Sequence, residues 1–334
     1  VNTLDAGAFG EPASEAPAFA ELAFGAPAFD RFEIWGTSAV VGTTDPARLH
    51  EARHLLDEVL AGVEEAASRF REGTEILRLN ERAGAGPVVV SSLLFDLVAH
   101  ALWAAEFTGG ACDPTVADAL LALGYDRDFD ELGTAPAMTP GPAQPAPGVD
   151  GIILDPAAST ISLPEGVHLD LGSTAKARAA DLAAERITEH LGVGALVDLG
   201  GDLRITGPLP EGGWSVGIVE SARDGDSPLA EVIAVHGGAI ASSSTAVRRW
   251  RRGDVESHHI IDPATGLNAP EVFRLVTVGA ATCVEANALS TAALVWGEDA
   301  LFELPQRSVF GRLVRHDNTV ERVGGWPEPL MEAM

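Results

Sequence analysis

Several stretches of the chain carry residue types that handle phosphate, hard metal ions or protons. From His168 to Lys176 the sequence reads as a strand ending in Asp170, a glycine turn, and a helix starting near Thr174. Free backbone N–H groups at a helix start attract anions. A lysine in the first turn faces the positive end of the helix dipole, which is unfavourable unless solvent or an anion offsets it. Lys176 therefore marks either a phosphate site or a solvated lysine on an ordinary helix. Gly200 and Gly201, just before Asp202, lie between two strand-like runs. They permit close backbone approach to a ligand, and equally a simple hairpin turn. Hydroxyls run from Ser242 to Thr245, followed by Arg248, Arg249, Arg251 and Arg252. This positive cluster suits a phosphate, an acidic partner segment or a solvated charged face.

From His258 to Gly266 a strand delivers His259 and Asp262, and Asp262 to Gly266 has turn chemistry. A histidine here has the proton affinity of a general base. Adjacent histidines also suggest a metal, yet no third ligand follows at a recognisable spacing. Thr282 and Glu285 form a capping-box pattern that fixes a helix start. Asn287 and Thr291 then share one face, one turn apart. Two oxygen ligands so placed suit a hard cation such as Mg2+, or a polar patch packed on a neighbouring loop.

The elements that must position these residues fall into two regimes. Residues 1–30, rich in Ala, Pro, Gly and Glu, read as a mobile arm. A strand is expected over 32–41. An amphipathic helix is expected over 46–70, from the helical spacing of Leu49, Leu56, Val59, Val63 and Phe70. A second helix is expected over 92–107, stopped by Gly109 and Gly110, and a third from Pro114. Residues 126–150, acidic and then rich in proline, read as a flexible insertion within one domain spanning 31–330. From Gly151 the pattern is mostly strands, over 151–154, 160–163, 195–199, 203–206, 214–219, 231–235 and 275–280. Helices over 174–191 and 283–296 interrupt them. Strands in runs with segregated helices predict an α+β fold of mostly antiparallel strands. No GxGxxG follows a first strand, and there is no Walker A loop.

The chain has 334 residues and a formal charge of −27, which disfavours nucleic acid and anionic membranes as partners. Its 49 acidic residues outnumber 22 basic ones, so a bound phosphate needs local positive groups or a metal. Lys176 is the single lysine. Cys112 and Cys283 lie far apart and suggest neither a disulfide framework nor a zinc site. No apolar run is long enough to span a membrane, and no signal peptide is visible. A cytoplasmic location is the expectation, with export through a removed leader left open because the chain begins with Val.

Read in order, these stretches resemble the ApbE family of flavin transferases. Asp170, Leu171, Gly172, Ala175, Lys176 and Asp181 match one family motif. Gly200, Gly201 and Asp202 match a second, and His259 to Gly266 match a third throughout. Upstream, Gly36-Thr37, Thr74 to Asn80 and Gly110 to Thr115 resemble further family stretches. The resemblance spans roughly residues 32–300. It implies an ApbE-like α+β fold, FAD as substrate, and Mg2+ as cofactor. The implied reaction moves FMN from FAD onto a Thr or Ser hydroxyl of an acceptor flavoprotein and releases AMP. His259 is then the expected base. The expected FAD contacts are Trp35, Gly36, Thr37, Asn80, Ala111, Cys112, Asp113, Asp170, Lys176, Gly200, Gly201, Ser243, Ile261, Asp262 and Thr265. The expected metal ligands are Ser173, Asn287 and Thr291. The chain departs from the pattern at Asn287, where the family commonly has Asp. It departs also at Trp35, Ser173, Ala177, Arg178 and Ser244. Noncatalytic FAD binding, or hydrolysis of FAD to FMN and AMP, are the alternatives that the same site allows.

Overall fold

A computed structural model describes residues 27–132, 141–219, 229–252 and 255–332. Among these residues the largest sheet has eight strands: β1 (Ala28–Ile34), β2 (Thr37–Thr43), β3 (Ala195–Leu199), β4 (Asp202–Thr206), β5 (Gly238–Ser244), β6 (Phe273–Ala280), β7 (Phe310–Arg315) and β8 (Val320–Val323). Their order across the sheet is their order along the chain. Every neighbouring pair is antiparallel. Other elements enter as excursions between consecutive strands, and the sheet itself never crosses over. This is the expected α+β class.

Alternation along the strands assigns the two faces. Ala39 and Val41 of β2, Ala195, Val197 and Leu199 of β3, and Ala239 and Ala241 of β5 turn to one side. There they meet the helices α1 (Leu49–Ala67), α2 (Ser92–Phe107) and α3 (Ala175–Leu191). A further helix, α4 (Cys283–Trp296), packs Leu289, Ala293 and Leu294 against Phe273, Val276 and Val278 of the β6 strand. Leu196, Leu203, Ile205 and Ile240 turn the other way. They are covered by a hairpin of strands Trp214–Val219 and Leu229–Val235, through Trp214, Val216, Ile218 and Ile233. The order is therefore helices, large sheet, small sheet.

The local chemistry explains the element ends. In α1 the buried positions Leu56, Val59, Leu60 and Val63 recur at helical spacing. Ser91 caps α2 by accepting from the Leu94 N–H at 3.1 Å. Gly192, in the left-handed region at φ 68°, ends α3. Three expectations are corrected. The strand expected over 32–41 is two strands joined by a tight turn, with Trp35 at φ 51° and Gly36 at φ 66°. The helix expected over 46–70 opens with a 3-10 turn at Pro46–Arg48 and stops at Ala67. The helix expected from Pro114 likewise begins as a 3-10 turn, Pro114–Val116, before Ala117–Ala122 becomes α-helical. Of the expected arm, residues 1–26 lie outside the described residues, as do 133–140 of the insertion; β1 already begins at Ala28. No helix among the described residues is long and apolar enough to cross a membrane.

Candidate active site

Helix α3 starts one residue before Lys176, and the anion that offsets this lysine is internal. Lys176 Nζ lies 3.1 Å from Asp202 Oδ2. Asp202 is buried at the start of β4, immediately after the glycine turn. Its other oxygen, Oδ1, accepts from Asn287 Nδ2 at 2.7 Å. One buried carboxylate thus ties α3, the β3–β4 turn and α4 together. The amide orientation of Asn287 follows from this bond, because only its nitrogen can donate to a carboxylate. Its oxygen must then point elsewhere, and Oδ1 is buried without a partner among the described residues.

The turn itself is built for close approach. Gly200 (φ 69°) and Gly201 (φ 92°) both occupy the left-handed region. A Cβ on Gly200 would stand 2.5 Å from Thr37 Oγ1, so only glycine lets β2 and the turn meet there. Asp198 accepts from the Gly201 N–H at 2.8 Å. Burial, aided by the nearby Asp202 charge, pushes the Asp198 carboxyl up to about 6, against the pull of Lys176.

The start of α4 is held by α3. Asp181, buried, accepts from the N–H groups of Cys283 at 2.8 Å and Val284 at 3.1 Å. Arg204 Nε stands 3.2 Å from the same carboxylate. Thr282 Oγ1 accepts from the Glu285 N–H at 3.2 Å, as the capping pattern predicts. The Glu285 carboxylate reaches the N–H of Ala281 rather than that of Thr282. One turn into this helix come Asn287, Ser290 and Thr291. Ser243 Oγ on β5 pairs with Ser290 Oγ at 2.8 Å and with Thr291 Oγ1 at 3.1 Å.

The loop after α2 closes on the same region. Cys112 forms a small apolar cluster with Ala104 of α2 and Ala288 of α4. Its Sγ lies 3.7 Å from Ser173 Oγ. Burial pushes the Cys112 thiol up to about 11, so it is no thiolate at neutral pH. Asp113 is buried, and its Oδ1 accepts from both the N–H and the hydroxyl of Thr115 at 2.7 Å. Asp170 is also buried; its Oδ1 accepts from the Gly172 N–H at 2.7 Å, and Arg69 Nε lies 2.9 Å from its Oδ2.

His259 and Ile260 separate two short hairpins. Strands Arg249–Arg252 and Val255–His258 form the first, and Ile261–Asp262 with Leu267–Asn268 form the second. Burial drives the His259 imidazolium well below its usual range, with the charges of Arg248, His258 and Lys176 adding to the effect. A hydrogen bond from the ring to the Arg248 backbone opposes them. Its Nδ1 is buried without a partner. A neutral imidazole with one free nitrogen is the state that a general base needs. The following turn is self-contained. Asp262 accepts from Ala264 N–H at 2.9 Å and from Thr265 Oγ1 at 3.0 Å.

A strap across this turn comes from the proline-rich insertion. Ala146 N–H donates to Pro263 O at 2.8 Å, and Gly148 N–H donates to Thr115 Oγ1 at 3.0 Å. Gly266 (φ 69°) faces it so closely that an added Cβ would lie 1.8 Å from Gln144 O. The strap therefore joins the Asp113 loop to the His259–Gly266 segment.

Not every expected residue has a free polar group here. The Asn80 amide makes two 2.9 Å hydrogen bonds with the Leu169 backbone, bracing the strand end before Asp170. Thr265 is engaged with Asp262. Trp35 and Gly36 form the β1–β2 turn, where Trp35 packs against the main core. Ala111 and Ile261 are buried and offer backbone and apolar surface only. Arg69, Asp181, Asp198, Asp202 and Tyr125 were not among the expected site residues. Asp181 and Asp202 stand inside recognised motifs; Arg69, just past α1, has no local signal.

The three expected metal residues carry only oxygen donors, the kind that a hard cation takes. Ser173, Asn287 and Thr291 supply neutral oxygens, and the Asn287 oxygen is both buried and orphaned. No cluster of three or more His, Cys, Asp or Glu side chains suited to a metal occurs among the described residues.

A family model for the ApbE family matches residues 35–310. The chain belongs to the ApbE family. Among its relatives, the FAD:protein FMN transferase of Treponema pallidum is 33% identical over 293 residues, covering 79% of this chain and 80% of the relative. That of Haemophilus influenzae is 27% identical over 289 residues, covering 83% and 81%. The crystal structure of the ApbE protein of Thermotoga maritima superposes with a TM-score of 0.73 at 26% identity, covering 89% of this chain and 97% of that one. The flavin transferase ApbE of Vibrio cholerae shares the fold, with a TM-score of 0.70 at 23% identity.

Proposed function

We propose that this ApbE-family chain is an FAD:protein FMN transferase. It takes FAD, passes the FMN half to a Thr or Ser hydroxyl of an acceptor flavoprotein, and releases AMP. The observation that carries the reading is His259, a neutral imidazole with an unpaired buried nitrogen, set in the segment whose sequence matches the family motif throughout. In the reaction His259 takes the proton of the acceptor hydroxyl. The hydroxyl oxygen then bonds to the phosphorus on the FMN side of the diphosphate. The bond from that phosphorus to the bridging oxygen breaks, and the bridging oxygen leaves with AMP.

Ser173, Asn287 and Thr291 would hold a divalent cation such as Mg2+, which when bound offsets negative charge on phosphate oxygens. The residues of the chain do the rest. Asp202 holds Lys176 and Asn287 at fixed positions, so that α3 and α4 present their site faces without reorganisation. Asp170, fixed by Arg69 and by the Gly172 N–H, and the Ala111–Asp113 loop are the expected FAD contacts on this side of the site. The hydroxyl network of Ser243, Ser290 and Thr291 fixes the far wall.

The test mixes the protein with FAD, Mg2+ and an acceptor flavoprotein bearing a Thr or Ser target. Covalently fluorescent acceptor plus AMP in equal amounts is the expected result, abolished in His259→Ala. Free FMN and AMP without labelled acceptor would replace transfer by hydrolysis. FAD binding with no AMP, unchanged in His259→Ala, would overturn the enzymatic reading.

A further inference from the structure

The positive side chains around the site differ in one respect. Lys176 faces Asp202, Arg69 faces Asp170, and Arg249 faces Glu256 and Glu271. Arg248 is a half-buried residue whose guanidinium has no hydrogen bond or ion pair among the described residues. In a chain with 49 acidic residues, a half-buried arginine left without a carboxylate is conspicuous.

Its position is fixed by the hairpin beside it. Arg249 stands opposite His258 in the antiparallel register, so Arg248 and His259 are the next residues outward on the two strands. The hairpin is anchored by Trp250, whose Nε1 donates to Leu123 O at 2.9 Å and whose ring packs 5.0 Å from that of Tyr125. Tyr125 in turn carries Arg69 over its ring at 4.3 Å, and Arg69 holds Asp170. Arg248 exerts the largest single charge effect on both Tyr125 and His259. It therefore lies near both Tyr125 and the proposed base, beside which the hairpin register also sets it.

We propose that Arg248 is a phosphate-binding residue, reserved for the FMN-side phosphate of the bound flavin nucleotide. This rests on the transferase reading, and it adds a recognition residue to it. A guanidinium offers a planar fork of N–H donors that matches two oxygens of one phosphate. A base that deprotonates the attacking hydroxyl must sit beside the phosphorus under attack, so a cation flanking that base reaches the same phosphate. Charge spreads over the equatorial oxygens during phosphoryl transfer, where a fixed cation lowers the barrier. The charged groups acting on His259 are Arg248, His258 and Lys176. Of the two permanent cations, Lys176 is already neutralised by Asp202.

The decisive comparison uses free FMN and riboflavin, which differ by the phosphate alone, with binding followed by quenching of flavin fluorescence. Arg248→Met should weaken FMN binding by roughly 10- to 100-fold, the scale of a lost charge-assisted hydrogen bond, and leave riboflavin binding unchanged. Arg248→Lys should recover part of the loss, because lysine returns the charge without the fork. In labelled protein the His259 ring should titrate at higher pH in Arg248→Met than in the wild type. Unchanged FMN binding in Arg248→Met would overturn the assignment. So would an equal loss for both flavins, or a loss confined to the KM for the acceptor, which would make Arg248 a reader of acceptor carboxylates. A wild type that binds FMN with this phosphate preference but never labels an acceptor would sink the transferase reading and leave the Arg248 assignment standing.

Discussion

Asn287 is committed on one side and open on the other. Its amide nitrogen donates to Asp202, and its oxygen is buried without a partner among the described residues. Replacing it with Asp would set a second carboxylate against Asp202 where a donor now stands. Asn287→Asp should therefore lower the melting temperature in chelator, and added Mg2+ should restore it beyond its effect on the wild type. A variant equally unstable with and without Mg2+ would remove Asn287 from the metal. His258 makes a separate prediction. Burial lowers its imidazolium to about 4 from an unfolded value of 6.5. The folded state then binds fewer protons than the unfolded one between those values, so stability is level above 6.5 and falls as pH drops toward 4. The loss by about pH 5 should be about 2 kcal/mol in urea titrations, and His258→Gln should lack that part of it.

Among the elements, α4 depends on a cap that comes from another helix. Asp181→Ala removes the acceptor for two N–H groups and the partner of a mostly buried guanidinium. It should cost about 3 kcal/mol in chemical denaturation, and Asp181→Asn clearly less, since one acceptor oxygen remains. The strap yields a further test. Gly266→Ala forces the Gln144 carbonyl away, so proteolysis within residues 141–148 should accelerate while the far-side hairpin stays protected. Sequence patterning reached these elements unevenly. The helices over 92–107 and 283–296 were legible to their ends because capping residues and glycines bracket them. Strand β5 was missed: Gly238 to Ser244 is mostly small and polar, and it is a strand only because β4 and β6 flank it. Residues 32–41 read as one strand because Trp35 at positive φ is not a usual turn signal. At the site, motif order revealed the residues quoted from the family. It could not reveal that Asn80 is a brace, that Asp202 is the partner of both Lys176 and Asn287, or that Arg248 lacks an acid. Those are facts of contact between distant segments.

At the scale of the whole molecule the surplus of negative charge works against compactness. A chain at −27 repels itself, and salt screens that repulsion. Raising NaCl from about 0.01 to about 0.1 M, which shortens the screening length from about 30 to about 10 Å, should raise the melting temperature. A fall would mean that surface pairs such as Arg315 with Glu298 outweigh the repulsion.

The sheet that keeps chain order also sets a timetable for synthesis. Of this sheet the β1–β2 hairpin is made first, but the neighbour of β2 begins only at Ala195. At the usual ~5–20 residues per second, β2 waits on the order of ten seconds with its backbone edge unsatisfied. The residues bearing Asp113, Asp170 and Lys176 are all made during that wait. Helix α1, the next element out, can cover the apolar face of the hairpin, yet not its edge. The nascent chain is thus most open to wrong pairing while part of its site already exists, and α4 with Asn287 is made only after β6.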